Sequence, residues 1–223
     1  MATKRIAILG AAGQAREVEW LIREINRHQP TYEFLGYIVG DLTRLGERDS
    51  SRGLLGDESW LESNRDGVDC LAIGIAEPAL RLKLAAALTS RFPDIEWPAL
   101  IHPRAVFDAA TCECGPGVLL CAGVTCTVNI KFGAFSLVNF GCTIGHEAQL
   151  GKGCVVNPGA NISGGTIFGD GVLVGSGAQV LQYLRIGSGA KIGAGAVVVG
   201  DVAPNSTVVG IPARPLKKAE AVD

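Results

Sequence analysis

Residues 139–168 read NFGCTI GHEAQL GKGCVV NPGANI SGGTIF, five units of six, each closing on a large apolar residue: Ile144, Leu150, Val156, Ile162 and Phe168. The interval holds outward in both directions, through Cys114, Leu120, Cys126, Phe132 and Val138 before it and Val174, Val180, Ile186, Ile192 and Val198 after it. Two residues ahead of each stands a second apolar or small residue, such as Cys142, Ala148, Cys154, Ala160 and Thr166. Glycine follows the large residue in eight of the fifteen units, which places a turn at the start of the next one. A period of six is neither the 3.6 of a helix nor the 2 of a plain strand. It predicts a short strand plus a corner, the hexapeptide signature of a parallel β-helix. Three sides close one coil, so the fifteen units make five coils. At a strand spacing of about 4.8 Å the prism is roughly 24 Å tall. Each coil buries its interior only against its neighbours, so chemistry belongs on the outward positions.

The half that precedes the repeat has a different rhythm. Lys4 to Gly10 (KRIAILG) reads as a buried strand, Gly10 to Ala15 as a turn, and Val18, Leu21, Ile22 and Ile25 as one face of a helix. A strand around Phe34 to Val39 ends at Gly40-Asp41, Asp57 caps a short helix through Leu61, and Val68 to Ile75 is again a strand. Pro78 opens a helix to about Arg91, with Leu80, Leu84, Ala87 and Leu88 expected inward. Alternation of strand and helix predicts a small Rossmann-like parallel α/β domain. The expected division is residues 1–98 for this domain, 99–204 for a left-handed β-helix and 205–223 for a capping tail that turns basic at Lys217 and Lys218.

Composition narrows the function. A net charge of −2 across 223 residues gives no electrostatic case for nucleic acid or an anionic membrane. No apolar run approaches the roughly 20 residues of a membrane helix, and the opening MATKRIAILG lacks a signal-peptide core. A cytoplasmic protein is expected. Of seven cysteines, Cys112, Cys114, Cys126, Cys142 and Cys154 fall on inward positions, where cysteine serves as a small hydrophobe. Cys70 belongs to a strand and Cys121 to an outward position; no C-x-x-C pair exists, so neither a metal site nor a catalytic thiol is expected.

Two places can carry chemistry. The first is the turn Gly10-Ala11-Ala12-Gly13-Gln14-Ala15, which departs from G-x-G-x-x-G at Ala12 and Ala15, while the acid Asp41 comes later than a dinucleotide fold wants. This argues against NAD, but backbone N–H groups at the head of the helix can still hold a phosphate. The second is His146, the one histidine within the repeat, third counting from the large residue Ile144 and therefore outward at a corner. Glu147 beside it can fix the imidazole tautomer. Gly164, eighteen residues on and so one coil higher, offers with Gly165 a bare backbone where an N–H could meet a developing oxyanion.

With these residues the chain resembles the hexapeptide-repeat acyltransferases, in the branch of sialic-acid O-acetyltransferases and nucleotide-sugar N-acetyltransferases of bacterial glycan synthesis. The likeness runs through ILGAAGQAREV, GYIVGD, the β-helix and the closing VVGIPARPLKK. It implies an acetyl-coenzyme A-dependent N-acetyltransferase of a nucleotide-linked amino (dideoxy) sugar, working as a homotrimer and without a metal. His146 with Glu147 would then be the general base, Asn139 would lie near the acceptor, and Gly164 would serve the thioester carbonyl. Gly175, Ser176, Gly193 and Ala194 would let a pantetheine arm pass, and Gly10, Ala12, Gly13, Gln14 and Asp41 would hold the acceptor's nucleotide. The pattern departs at Gln14, often histidine in the family, at Val155, often a second histidine, and at Gly145, often acidic. O-acetylation of sialic acid or another sugar, or a β-helix scaffold that has lost its chemistry, are the competing expectations. Carbonic anhydrase, which also uses β-helix trimers, would need zinc histidines that His28 and His102 do not supply.

Overall fold

A computed structural model describes residues 3–47, 49 and 52–216, with no account of the Arg44 side chain; Lys217 and Lys218 lie outside these. The first unit is a four-stranded parallel sheet, β1 (Lys4–Leu9), β2 (Tyr32–Ile38), β3 (Leu54–Gly56) and β4 (Cys70–Ile73), in the order β3-β2-β1-β4. Helix α1 (Gly13–His28) covers one face, while α2 (Glu58–Ser63) and α3 (Pro78–Arg91) belong to the other. Asp57 caps α2 by accepting from Ser59 N–H at 3.0 Å, and Glu77 caps α3 by accepting from Leu80 N–H at 2.6 Å.

All fifteen large residues of the hexads occupy the second position of a two-residue strand, from Glu113–Cys114 to Val197–Val198. The strands stack into three parallel faces. The first runs from Leu100–Ile101 up through 119–120, 137–138, 155–156, 173–174 and 191–192 to Thr207–Val209; the second holds 125–126 to 197–198, and the third 113–114 to 185–186. Inside, large residues alternate with small ones. The small position has a polar task as well. Ser136 Oγ donates to Gly151 O (2.9 Å), Cys142 Sγ to Asn157 O (3.1 Å) and Cys154 Sγ to Gly169 O (3.2 Å), satisfying corner carbonyls of the coil above. Burial pushes the Cys142 thiol up to about 11 and Cys154 to about 12, so both stay protonated. Cys126, Cys142 and Cys154 are buried as expected, whereas Cys112 and Cys114, on the first complete coil, are only half-buried.

The repeat reaches further than its strict interval at both ends. Ile101 pairs with Leu120 and Val106 with Thr125, nineteen residues apart rather than eighteen. At the top, Val202 pairs with Ile186 and Val208 with Ile192, sixteen apart. A shortening of two residues in the turn after Val198 is why Pro204 falls where an apolar residue was due. The expected tail thus contributes one more strand, and Arg214–Pro215 folds back antiparallel on it.

The two units share a core. Ala15, Val18, Leu21 and Ile22 of α1 join one buried cluster with Leu119, Cys121, Leu137 and Val155 on the outer side of the first face. Cys121, on an outward position as expected, is 5% exposed because α1 covers it, and its thiol is pushed up to about 12 by burial. The inward stripe of α3 also differs from expectation: Pro78, Arg81, Ala85 and Leu88 are buried, while Leu80 and Ala87 are exposed. Arg81 ties the units together. Its Nε donates to Phe135 O on the prism (2.9 Å), and its Nη1 to Ile73 O (3.0 Å) and Ile75 O (2.6 Å) at the end of β4. Fully buried, its guanidinium is drawn down to about 10.

Candidate active site

His146 stands on the corner between the second and third faces, where 145–148 joins Thr143–Ile144 to Gln149–Leu150. Each corner puts one residue in the left-handed region. On the corner between the first and second faces these are all glycine, at 123, 141, 159, 177 and 195. On the histidine corner they are Asn129 (φ +58°), Glu147 (φ +58°), Gly165 (φ +67°) and Tyr183 (φ +60°). A residue with a Cβ costs about 1 kcal/mol in this conformation, and such cost gathers where function holds it in place.

His146 and Glu147 both face solvent, with side chains 49% and 56% exposed. The imidazole Nδ1–H donates to Glu147 Oε2 at 2.6 Å, since an ionised carboxylate can only accept. That bond, with help from the Asn129 side chain, holds the Glu147 carboxyl below the usual carboxylate range. It also fixes the tautomer, leaving the Nε2 lone pair free to take a proton. The ring lies flat against the next coil: a Cβ on Gly164 would sit 2.5 Å from both Nε2 and Cε1. The coil-to-coil bond here runs from Gly165 N–H to His146 O (2.7 Å), which leaves Gly164 N–H without a backbone acceptor among the described residues. The imidazole and the Gly164 peptide are thus neighbours across one coil step, the kinds of group that general-base help and oxyanion stabilisation use.

The expected donor-arm residues fall elsewhere. Gly175, Ser176, Gly193 and Ala194 lie on the corner between the first and second faces, the opposite edge of the second face from His146. Gly175 and Gly193 stack there so closely that a Cβ on Gly175 would meet Ala194 N at 2.4 Å. Asn139 sits on that same edge, is 3% exposed and accepts from Cys121 Sγ at 3.7 Å. One chain thus pairs His146 with Glu147 and Gly164, and holds Asn139 and the small-residue edge apart from them. His102, read as lying outside the repeat, follows the first strand of the first face, buried with its ring 5.3 Å from Trp20.

The nucleotide candidates do converge. A cleft of about 480 Å³ opens at the carboxyl ends of β1, β2 and β4, lined by Gly10, Ala12, Gln14 and Asp41 together with Gly74 to Glu77, Leu80 and Leu84. It lies where the chain, having wound to one side of β1, returns to the other, the usual ligand crevice of such sheets. Ala12 begins α1 without a side-chain cap, so the first-turn amides, Gly13 among them, are not occupied by a capping side chain. Gln14 adds a buried Nε2 that has no hydrogen-bond partner among the described residues. Asp41 accepts from Thr43 N–H (2.8 Å) and Thr43 Oγ1 (2.6 Å), which keep its carboxyl low and aim it at the rim. Leu80 and Leu84 are only partly covered because they form this apolar wall rather than core. Among the described residues, no cluster of three or more His, Cys, Asp or Glu side chains could hold a metal, and no helix is long and apolar enough to cross a membrane.

Two site features escaped the sequence reading. Arg81 sits in the 78, 81, 85, 88 stripe, a 3-4-3 spacing as regular as the one through leucines. Tyr183 stands at the register position that Glu147 and Gly165 occupy on the coils below, visible once the coil length of eighteen is known.

A prism of this kind with an α/β unit docked on one face defines a left-handed β-helix protein. Comparison with solved structures bears this out over the full length. PerB from Caulobacter crescentus, a perosamine N-acetyltransferase in complex with CoA and GDP-perosamine, superposes with a TM-score of 0.84 at 28% identity, over 97% of this chain and 99% of that one. The acetyltransferase domain of PglB from Neisseria gonorrhoeae, in complex with acetyl coenzyme A, gives 0.84 at 26% identity over 96% and 100%. WeeI from Acinetobacter baumannii gives 0.79 at 30% identity over 96% and 100%. No protein-family model matches the sequence, and no curated protein matches it. The chain belongs to the hexapeptide-repeat acyltransferases.

Proposed function

We propose that the chain transfers the acetyl group of acetyl-coenzyme A to the amino group of a nucleotide-linked amino sugar. The observation that carries this reading is the imidazole of His146, oriented by Glu147 with its free nitrogen against Gly164. In the reaction the amine nitrogen attacks the thioester carbonyl carbon and passes its proton to His146 Nε2. The oxyanion forms at Gly164 N–H, the carbon–sulfur bond breaks, and the proton moves from the imidazole to the departing thiolate. General base help of this kind contributes ~10²–10⁴-fold, and no covalent enzyme intermediate is needed.

The cleft beside Gly10 and Asp41 supports a nucleotide on the acceptor, because a free sialic acid would leave it without an occupant. PerB with CoA and GDP-perosamine, and the PglB domain with acetyl coenzyme A, match this chain almost end to end, which supports the same donor and acceptor classes. The two prism edges, His146 on one and Gly175 to Ala194 on the other, support a homotrimer in which the His146 edge of one copy meets the Gly175 edge of the next. The pantetheine arm would run in that seam, and Asn139 would approach the acceptor across it. The seam, bacterial glycan synthesis as the setting, and the cytoplasm as the compartment complete the proposal. The test is thiol release from acetyl-coenzyme A across a panel of nucleotide-linked amino sugars, GDP-perosamine included. Wild-type protein should turn over at least one of them, and His146→Ala, folded and of unchanged oligomeric state, should lose at least 100-fold in kcat. Wild-type turnover in that variant would remove His146 from the mechanism.

A further inference from the structure

The dipeptide Gly164–Gly165 is held between two rings. His146 lies against Gly164 from the coil below. From the coil above, Tyr183 lies against Gly165, where a Cβ would meet ring carbons Cδ1 and Cε1 at 2.3 and 2.5 Å. Tyr183 N–H donates to Gly164 O (3.0 Å), so the same residue also fixes the peptide beside the oxyanion site.

Folding alone does not account for this tyrosine. At φ +60° it occupies a conformation that a bulky side chain adopts rarely, and at 69% exposure it recovers little by burial. Leu181 and Val199 on the same corner are exposed too, at 41% and 46%, so the wall above the dipeptide is apolar. The corners of His146 and Tyr183 are two coils apart, about 10 Å along the axis, and both rings lean into that interval.

We propose that Tyr183 sets the length of the acyl group, its ring closing the upper side of the transfer site so that a methyl fits against it and a longer chain does not. This rests on the acetyltransferase reading above. With the carbonyl oxygen at Gly164 N–H and the attacking amine at His146, the thioester has two remaining directions. Sulfur leads out to the pantetheine arm in the seam, so the acyl substituent faces the Tyr183 ring.

The experiment compares kcat/KM for acetyl- and butyryl-coenzyme A, using the acceptor that gives the highest turnover, in wild type and in Tyr183→Gly, Tyr183→Asn and Tyr183→Phe. Glycine and asparagine both tolerate the left-handed conformation, so either one suffices should the other fold poorly. The butyryl-to-acetyl ratio should rise at least tenfold in the glycine and asparagine variants, the scale that closing a pocket to extra methylenes achieves. It should stay at the wild-type value in the phenylalanine variant, which keeps the ring. An active wild type whose ratio moves less than twofold in Tyr183→Gly overturns the assignment of Tyr183 and leaves the acetyltransferase reading standing. A wild type that releases no thiol from either donor with any acceptor overturns both.

Discussion

Replacing Gly164 by alanine separates the geometry of the base from the stability of the fold. The glycine's φ is not in the left-handed region, so alanine suits the backbone, but its Cβ would stand 2.5 Å from His146 Nε2 and Cε1. Ordinary contact begins near 3.4 Å, so the imidazole must retreat by about 1 Å, and the end of a half-exposed side chain can do so cheaply. A displacement of that size at the reacting centre costs about 10² in rate. The expected result is kcat reduced roughly 100-fold, with a melting temperature within about 2 °C of wild type. Gly145→Ala is the contrast: there the Cβ would meet Gly164 N at 2.5 Å, backbone that cannot step aside, and the loss should appear in stability. Steady-state thiol release and thermal unfolding on the same preparations read both quantities. Should Gly164→Ala retain kcat within threefold of wild type, the contact between this glycine and the base has no catalytic meaning.

Three further outcomes follow from named contacts. Glu147→Gly removes a left-handed Cβ and the tautomer-fixing carboxylate together, so it should unfold at no lower denaturant concentration than wild type while losing roughly 10²-fold or more in kcat; denaturant titration and kinetics check the two. Arg81→Leu strips the donors from the carbonyls of Ile73, Ile75 and Phe135, an expected loss of roughly 3 kcal/mol and of about 6–12 °C in Tm by calorimetry. The Arg5–Asp69 pair holds the Asp69 carboxyl at about 2, below its ordinary 3.8. Its stabilisation is therefore complete above pH 4 and lost as the pH falls through 2. With both side chains 38% exposed, Asp69→Asn should cost only about 1 kcal/mol at pH 7 and nothing measurable at pH 2.

How much of this was legible in the sequence depends on where the information is stored. The interior of the prism was legible because each coil repeats its neighbour every eighteen residues, and from Cys114 to Val198 every large residue keeps its strand position, with only the first coil left half-covered. Its ends were not, because Ile101 and Val202 keep the environment while breaking the interval by one and two residues. Three of the four α/β strands lie within about two residues of their expected places, but the short Leu54–Gly56 was not expected as a strand, and the phase of α3 differs. Its leucines at 80 and 84 read as core, whereas they line a cleft and an arginine holds the inner position. The outward side of the first face could not be recognised as an interface from one hexad at a time; Leu119, Leu137 and Val155 gain meaning only when stacked under α1. At the site, His146, Glu147 and Gly164 were found by register, which the coil length converts directly into adjacency. Asn139 was placed by likeness, and it lies buried on the other edge.

In the proposed mechanism the base and its opposing amide come from neighbouring coils, which makes chain length a catalytic quantity. Adding or deleting a whole turn of eighteen residues above or below this pair would leave it intact, like changing the number of storeys without moving a doorway. One residue inserted between Glu147 and Ser163 would instead carry the amide around the edge and out of reach, with every side chain of the site still present.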